Sequence, residues 1–204
     1  MQAAPWAPLL CEACSEDFPV EDRPVDVREP LVEGHAYADF SGSARRLLID
    51  LKYEGVTRAG SMIGARMAAA PGASRMLRRA DVVVPVPLHW VRRWRRGHNQ
   101  AAVLAAALCH HQQPLQLVHA LRRPRSTRPQ VGLARERRLS NVRGAFVAAA
   151  GADRLVAGRR VLLVDDVVTT GATAAAAARA LVATGARDVS VYAAARSDSP
   201  PASG

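Results

Sequence analysis

One stretch near the carboxyl-terminal end limits the fold more than any other: Val161-Leu-Leu-Val-Asp-Asp-Val-Val-Thr-Thr-Gly-Ala-Thr173. Four consecutive apolar residues suit a strand covered on both faces, as in a parallel sheet flanked by helices. Asp165 and Asp166 follow at its carboxyl end. Adjacent carboxylates are costly unless a partner neutralises or hydrogen-bonds them. A sugar with vicinal hydroxyls offers two donors, and a divalent cation offers charge. Thr169-Thr-Gly-Ala-Thr173 then sets hydroxyls and successive backbone N–H groups at a helix start, which is an anion-holding arrangement. Gly171 lets the backbone approach without a Cβ in the way. Carboxylates for a ribose beside amides for a phosphate describe a ribose 5-phosphate. The competing reading is a threonine-capped helix behind a strand that happens to end in Asp-Asp.

The rest of the chain supplies the same strand–helix alternation. Apolar runs predict strands at 81–86, 115–121, 144–149, 160–164 and 189–194. Helical spacing begins at Ser43, with Leu47, Leu48 and Leu51 on one face, and Gly55 can end it. Further helices are expected over 58–70, 99–110 and 173–184. The expected fold is α/β, a doubly wound parallel sheet of about five strands flanked by helices. Residues 1–40 are rich in proline and acid and read as an irregular N-terminal arm. Residues 41–196 form the main domain, and 197–204 a flexible tail. Ligands bind such sheets beyond the carboxyl ends of the strands. The loops to watch are therefore 87–98, 122–142 and 165–173.

Composition sets the remaining bounds. Hydrophobic residues make up 49% of the chain and aromatics only 4%, so alanine, valine and leucine must fill the core. Net charge is +10, and Lys52 is the only lysine. An arginine fork matches phosphate geometry, although genomic base composition can also replace lysine by arginine. Clustering at particular loops is the stronger signal. Cys11, Cys14 and Cys109 do not form a disulfide framework. Cys109 sits in an alanine-rich helix and reads as core. The first residues lack the charged and apolar regions of a secretion signal, and no stretch is long enough for an uncharged membrane span. A cytoplasmic protein is expected.

Two basic loops complete the pattern. In Val84-Pro-Val-Pro-Leu-His-Trp-Val-Arg-Arg-Trp-Arg-Arg-Gly-His-Asn-Gln100, Pro85 and Pro87 fix an abrupt exit from the strand. Trp90 and Trp94 suit either stacking on bases or packing on the arm. The second loop, from Leu121 to Phe146, is long and arginine-rich, and loops of that length in a compact domain are usually functional. Leu133 and Leu139 could pack a flap whose Arg125, Thr127, Gln130 and Arg138 face a ligand.

The Asp-Asp-Val-Val-Thr-Thr-Gly loop resembles the phosphoribosyl pyrophosphate (PRPP) signature of type I phosphoribosyltransferases. Pro85-Val-Pro-Leu, Arg96-Gly-His-Asn-Gln100, Arg125-Ser-Thr-Arg-Pro-Gln130, Arg138-Leu-Ser-Asn-Val-Arg-Gly-Ala-Phe146 and Leu51-Lys-Tyr-Glu-Gly55 narrow the resemblance to the ComF family. The resemblance implies a type I phosphoribosyltransferase fold. It implies that Asp165 and Asp166 bind the ribose hydroxyls and that Thr169, Thr170, Gly171, Ala172 and Thr173 hold the 5-phosphate. It places Pro85, Pro87, Arg96, Gly97, Asn99 and Gln100 in a pyrophosphate loop, and Arg125, Thr127, Gln130, Arg138 and Asn141 in a flexible loop. Mg²⁺ would accompany PRPP in a transferase.

ComF-like proteins are linked to natural competence, the uptake of external DNA. The implied partners are PRPP or a nucleotide-like small molecule, single-stranded DNA and a competence helicase, and oligomers are compatible with the pattern. The same family commonly begins with a four-cysteine zinc ribbon, of which only Cys11 and Cys14 stand here. Zinc wants four ligands, and His35 is an irregularly spaced third candidate. A decayed ribbon and an ion shared between two chains are the two readings. For the whole chain they are a PRPP-binding competence protein, an active phosphoribosyltransferase or a nucleotide-sensing regulator.

Overall fold

A computed structural model describes residues 18, 20–51, 57–88, 98–112, 114–124 and 144–197. Their centre is the strand Arg160–Val168, whose Val161–Val164 are all buried. Leu162 and Val164 join one apolar cluster, while Val161 and Leu163 join the other on the opposite face. A strand covered on both sides explains why the sequence shows an unbroken apolar run rather than alternation.

In chain order the strands are β1 (Val20–Pro24), β2 (Leu31–Asp39), β3 (Val82–Pro85), β4 (Gln116–Leu117), β5 (Leu121–Arg122), β6 (Val147–Ala148), β7 (Arg160–Val168) and β8 (Asp188–Arg196). The helices are α1 (Gly42–Asp50), α2 (Thr57–Ala69), α3 (Ser74–Arg79), α4 (Gln100–His111), α5 (Ala152–Val156) and α6 (Ala172–Ala183). The main sheet runs β1-β2-β8-β7-β3-β4. From β2 to β4 its neighbours are parallel, and β1 closes one edge antiparallel. This is the expected α/β architecture, with five mutually parallel strands and an antiparallel edge strand added.

Three elements depart from the sequence reading. First, residues 20–24 and 31–39 lie in the region read as an irregular arm, yet they are strands of the main sheet. β2 pairs with β8 along most of its length. Its signal is hidden because Gly34, Ala36 and Ala38 have low strand propensity, and because the buried His35 looks polar until its partner Asp22 is seen. Second, the expected 115–121 strand breaks into β4 and β5. β5 leaves the main sheet and pairs antiparallel with β6, so 144–149 is not a parallel strand of the core. Third, β7 continues through Val168 rather than ending at Val164. Asp165 and Asp166 therefore lie inside the strand, with Asp165 opposite Ala193 of β8.

Alanine and glycine set how closely the layers approach. α6 buries Ala174 to Ala178 against the sheet. A Cβ at Gly64 of α2 would lie 2.6 Å from Ala107 Cβ and 2.8 Å from Leu104 O of α4. Only glycine permits that crossing, since backbone cannot give way. Cys109 is buried in α4 as expected, and burial pushes its thiol up to about 11.

Candidate ribose-phosphate site

Parallel strands bring several chain segments to one edge. Pro85 pairs with Val164, and the Val86 N–H donates to Val164 O at 2.9 Å. The exit of β3 thus runs beside the start of the acidic pair. On the other side, Ser197 N–H donates to Val168 O and Phe40 N–H to Arg196 O, tying the ends of β7, β8 and β2 together.

Asp165 and Asp166 are half-buried at this edge. The Asp166 N–H donates to Asp165 Oδ1 at 2.9 Å, and the Val167 N–H donates to Asp166 Oδ1 at 2.8 Å. One oxygen of each carboxylate is held by the amide that follows it, which fixes both groups in place. Burial pushes Asp165 well above its ordinary value of 3.8, and the neighbouring Asp166 carboxylate pushes the same way. The charge of Arg123 opposes both. Such a pair is poised to accept donors or a cation, because either relieves the repulsion.

The turn after β7 carries the anion-binding geometry. Gly171 is left-handed, with φ 68° and ψ 1°, and caps the start of α6. An L side chain there is strained, which is the conformational reason for glycine. Gly171 O accepts from Ala175 N–H at 2.9 Å, which starts the helix. The preceding amides of the first turn have no partner within the helix, as at any helix start. Thr169 is exposed, Thr170 and Thr173 are half-buried, and Gly171 and Ala172 are buried. These five residues and the acidic pair belong to one strand–turn–helix unit, as the sequence order implied.

The remaining expected site residues lie outside this strand–turn–helix unit. Asn99 sits at the start of α4 with its Nδ2 donating to Val86 O at 3.1 Å, which pins the helix to the β3 exit. Gln100 is only 1% exposed, and its Nε2 donates to Leu51 O at 3.4 Å. His98 Nε2 also approaches Leu51 O, at 2.6 Å. Pro85 and Pro87 stand at the exit itself. Arg96 and Gly97, Trp90 and Trp94, the flexible-loop residues Arg125, Thr127, Gln130, Arg138 and Asn141, and Cys11 and Cys14 lie outside the described residues. His35 is buried in β2 with Nε2 3.1 Å from Asp22 Oδ1. No group of three or more His, Cys, Asp or Glu is gathered for a metal among the described residues.

Arg123 is the functional candidate the sequence reading passed over. It is half-buried, its guanidinium lies 5.0 Å from the Phe146 ring centre, and its charge reaches Asp165. The β5–β6 pairing holds Arg122 against Val147 and so brings Arg123 and Phe146 together. The signal in the sequence was the arginine pair at the start of the long loop, but only the antiparallel pairing shows which edge it meets.

Similarity to known proteins enters on this geometry. The phosphoribosyl transferase domain family matches residues 55–201. Competence protein F of Haemophilus influenzae is 35% identical over 123 residues, covering 60% of this chain and 53% of that protein. The DNA utilization protein YhgH of Escherichia coli K12 is 38% identical over 112 residues, covering 55% of this chain and 48% of that protein. The chain thus aligns with about half the length of these curated relatives. Among solved structures, glutamine PRPP amidotransferase from B. subtilis, complexed with ADP and GMP, is 20% identical. That match covers 72% of this chain and 30% of that one, with a TM-score of 0.49. A purine phosphoribosyltransferase from Pyrococcus horikoshii Ot3 is 16% identical, covering 66% of this chain and 83% of that one, with a TM-score of 0.40.

Proposed function

The chain belongs to the phosphoribosyl transferase domain family, and from that premise we propose that it binds PRPP or a related ribose 5-phosphate and serves DNA uptake in natural competence. The observation that carries the binding half is the acidic pair. Asp165 is pushed up by burial and by Asp166, and both lie one turn ahead of the glycine-capped start of α6. Ribose hydroxyls donate to the carboxylates, and the 5-phosphate takes the amides and hydroxyls of Thr169–Thr173. The competence half draws on the relatives with names in competence and DNA utilization.

Mg²⁺ fits this site in one way. Two adjacent carboxylates, without a third ligand gathered beside them among the described residues, suit a hydrated ion that arrives on a diphosphate rather than an all-protein cage. Asp165 and Asp166 would face that ion, and its charge would screen the diphosphate. Zinc remains tied to Cys11 and Cys14, which the described residues do not include.

The site also supports a second reading, an active phosphoribosyltransferase that moves ribose 5-phosphate to a base or amine. Arg123 beside the acidic pair favours it, because a fixed cation at that edge stabilises a departing diphosphate. Catalysis of this kind rests on positioning and charge rather than on a dedicated general base.

Calorimetric titration with ribose 5-phosphate and with Mg²⁺–PRPP tests the binding reading. The wild-type chain is expected to bind both, and Thr170→Ala with Gly171→Val to bind neither. The valine carries some fold cost, because residue 171 has φ +68°. Equal affinity in the folded variant overturns the site. Pyrophosphate release across a panel of nucleobases separates transfer from binding. Salt-dependent binding of single-stranded DNA tests the competence role.

A further inference from the structure

The turn between β1 and β2 reaches the anion loop. Arg28 Nε donates to Thr170 O at 3.1 Å, across 142 positions of chain. Among the described residues, Asp26 O is the atom that a Cβ at Gly171 would meet, at 3.7 Å. Arg179, on α6, donates from Nη1 to Glu29 O at 3.4 Å, so the same turn is fastened to the helix as well. Arg28 is half-buried.

We infer that Arg28 is a positioning residue for the 5-phosphate site, holding the Thr170 carbonyl away from the anion so that the Gly171, Ala172 and Thr173 amides face it. This inference rests on the reading of Thr169–Thr173 as the phosphate loop. The physical need is plain. A loop that binds an anion through N–H groups must turn its carbonyls outward, since an inward carbonyl oxygen repels phosphate. Thr170 is the residue before a left-handed glycine, and its carbonyl lies outside the hydrogen bonds of α6. A guanidinium satisfies it with a hydrogen bond from a charged donor. The same guanidinium places a permanent positive charge behind the loop. β1 and β2 therefore do more than extend the sheet: the turn they form sets the polarity of the site.

The test uses the full chain and ribose 5-phosphate. Arg28→Gln is expected to weaken binding by at least about tenfold, the scale of one hydrogen bond to a charged group, with the thermal midpoint within a few degrees of wild type. Arg28→Lys, which keeps the charge and a donor, is expected to recover most of the affinity. Wild-type affinity in Arg28→Gln overturns the inference and leaves the phosphate loop standing. A wild-type chain that binds no ribose 5-phosphate overturns the loop reading, and this inference with it. A measurement without variants covers the case in which Arg28→Gln does not fold. In the NMR spectrum of the wild-type chain the Arg28 Nε–H signal is expected to shift on saturation with ribose 5-phosphate. An unmoved Arg28 signal, while the Gly171 amide shifts, also overturns the inference.

Discussion

The two edges of the sheet treat aspartate in opposite ways. At the amino edge Asp81 is fully served by Arg160. The Arg160 N–H and Nε donate to Asp81 Oδ2 at 2.8 and 3.1 Å, and Nη2 donates to Oδ1 at 2.7 Å. The hydrogen bonds from the Arg160 side chain hold the Asp81 carboxyl below its ordinary range. At the carboxyl edge burial, and then the neighbouring Asp166 carboxylate, push Asp165 the other way. The first arrangement is complete within the protein. The second leaves two carboxylates side by side, and under the proposed function a ribose or a hydrated cation completes it. Among the described residues, openings of about 320 and 700 Å³ lie at the amino edge, around Arg160.

The largest effect that could break this contrast comes from neutralising the acidic pair. Asp165→Asn with Asp166→Asn should weaken ribose 5-phosphate binding by at least about a hundredfold, as expected for two hydrogen bonds to charged acceptors. The same change should raise the thermal midpoint, because it removes a buried charge and the repulsion between the two carboxylates. A lowered midpoint with unchanged affinity would show that the pair is structural.

Acidity sharpens the contrast next. Asp165 titrates above its ordinary value in the folded chain, so the folded state holds its proton more tightly than the unfolded state does. Stability from this group therefore falls as pH rises from about 4 through the raised value. The midpoint gain of Asp165→Asn should be present at pH 7 and shrink toward pH 4. Asp81 behaves in the opposite sense: its contribution is present above about pH 4 and is lost as pH falls through its lowered value. Thermal melts from pH 3 to 8 read both signs, and parallel curves for Asp165→Asn and wild type would contradict the assignment.

The smallest effect is expected at the amino edge. Asp81→Asn should leave ribose 5-phosphate affinity unchanged and lower the midpoint by a few degrees at most, since the pair with Arg160 is partly solvated. A loss of affinity there would erase the distinction between the edges.

Much of this was legible in the sequence because it is local. The apolar run, the Asp-Asp and the Thr-Thr-Gly turn occupy consecutive positions, and a strand–turn–helix unit keeps consecutive residues together. α4 and α6 fall within a residue of their expected bounds for the same reason. What the sequence concealed depends on distant pairing. Arg123 acquires its place from β5 meeting β6, and Arg28 from β2 lying beside β8. β1 and β2 were hidden among prolines and small residues, and His35 reads as core only once Asp22 and Tyr192 are beside it. Asn99 and Gln100 likewise gain distant partners, the backbone of Val86 and Leu51, that their motif position does not reveal.

The central claim is that a ribose 5-phosphate occupies the carboxyl edge. Titration of the isotopically labelled chain with ribose 5-phosphate, followed by amide NMR, tests it most directly. Saturable shifts are predicted at Asp165, Asp166 and Thr170 through Thr173, with Asp81, Arg160 and Arg187 unmoved. Shifts at the amino edge instead, or no saturable shift anywhere, would contradict the account.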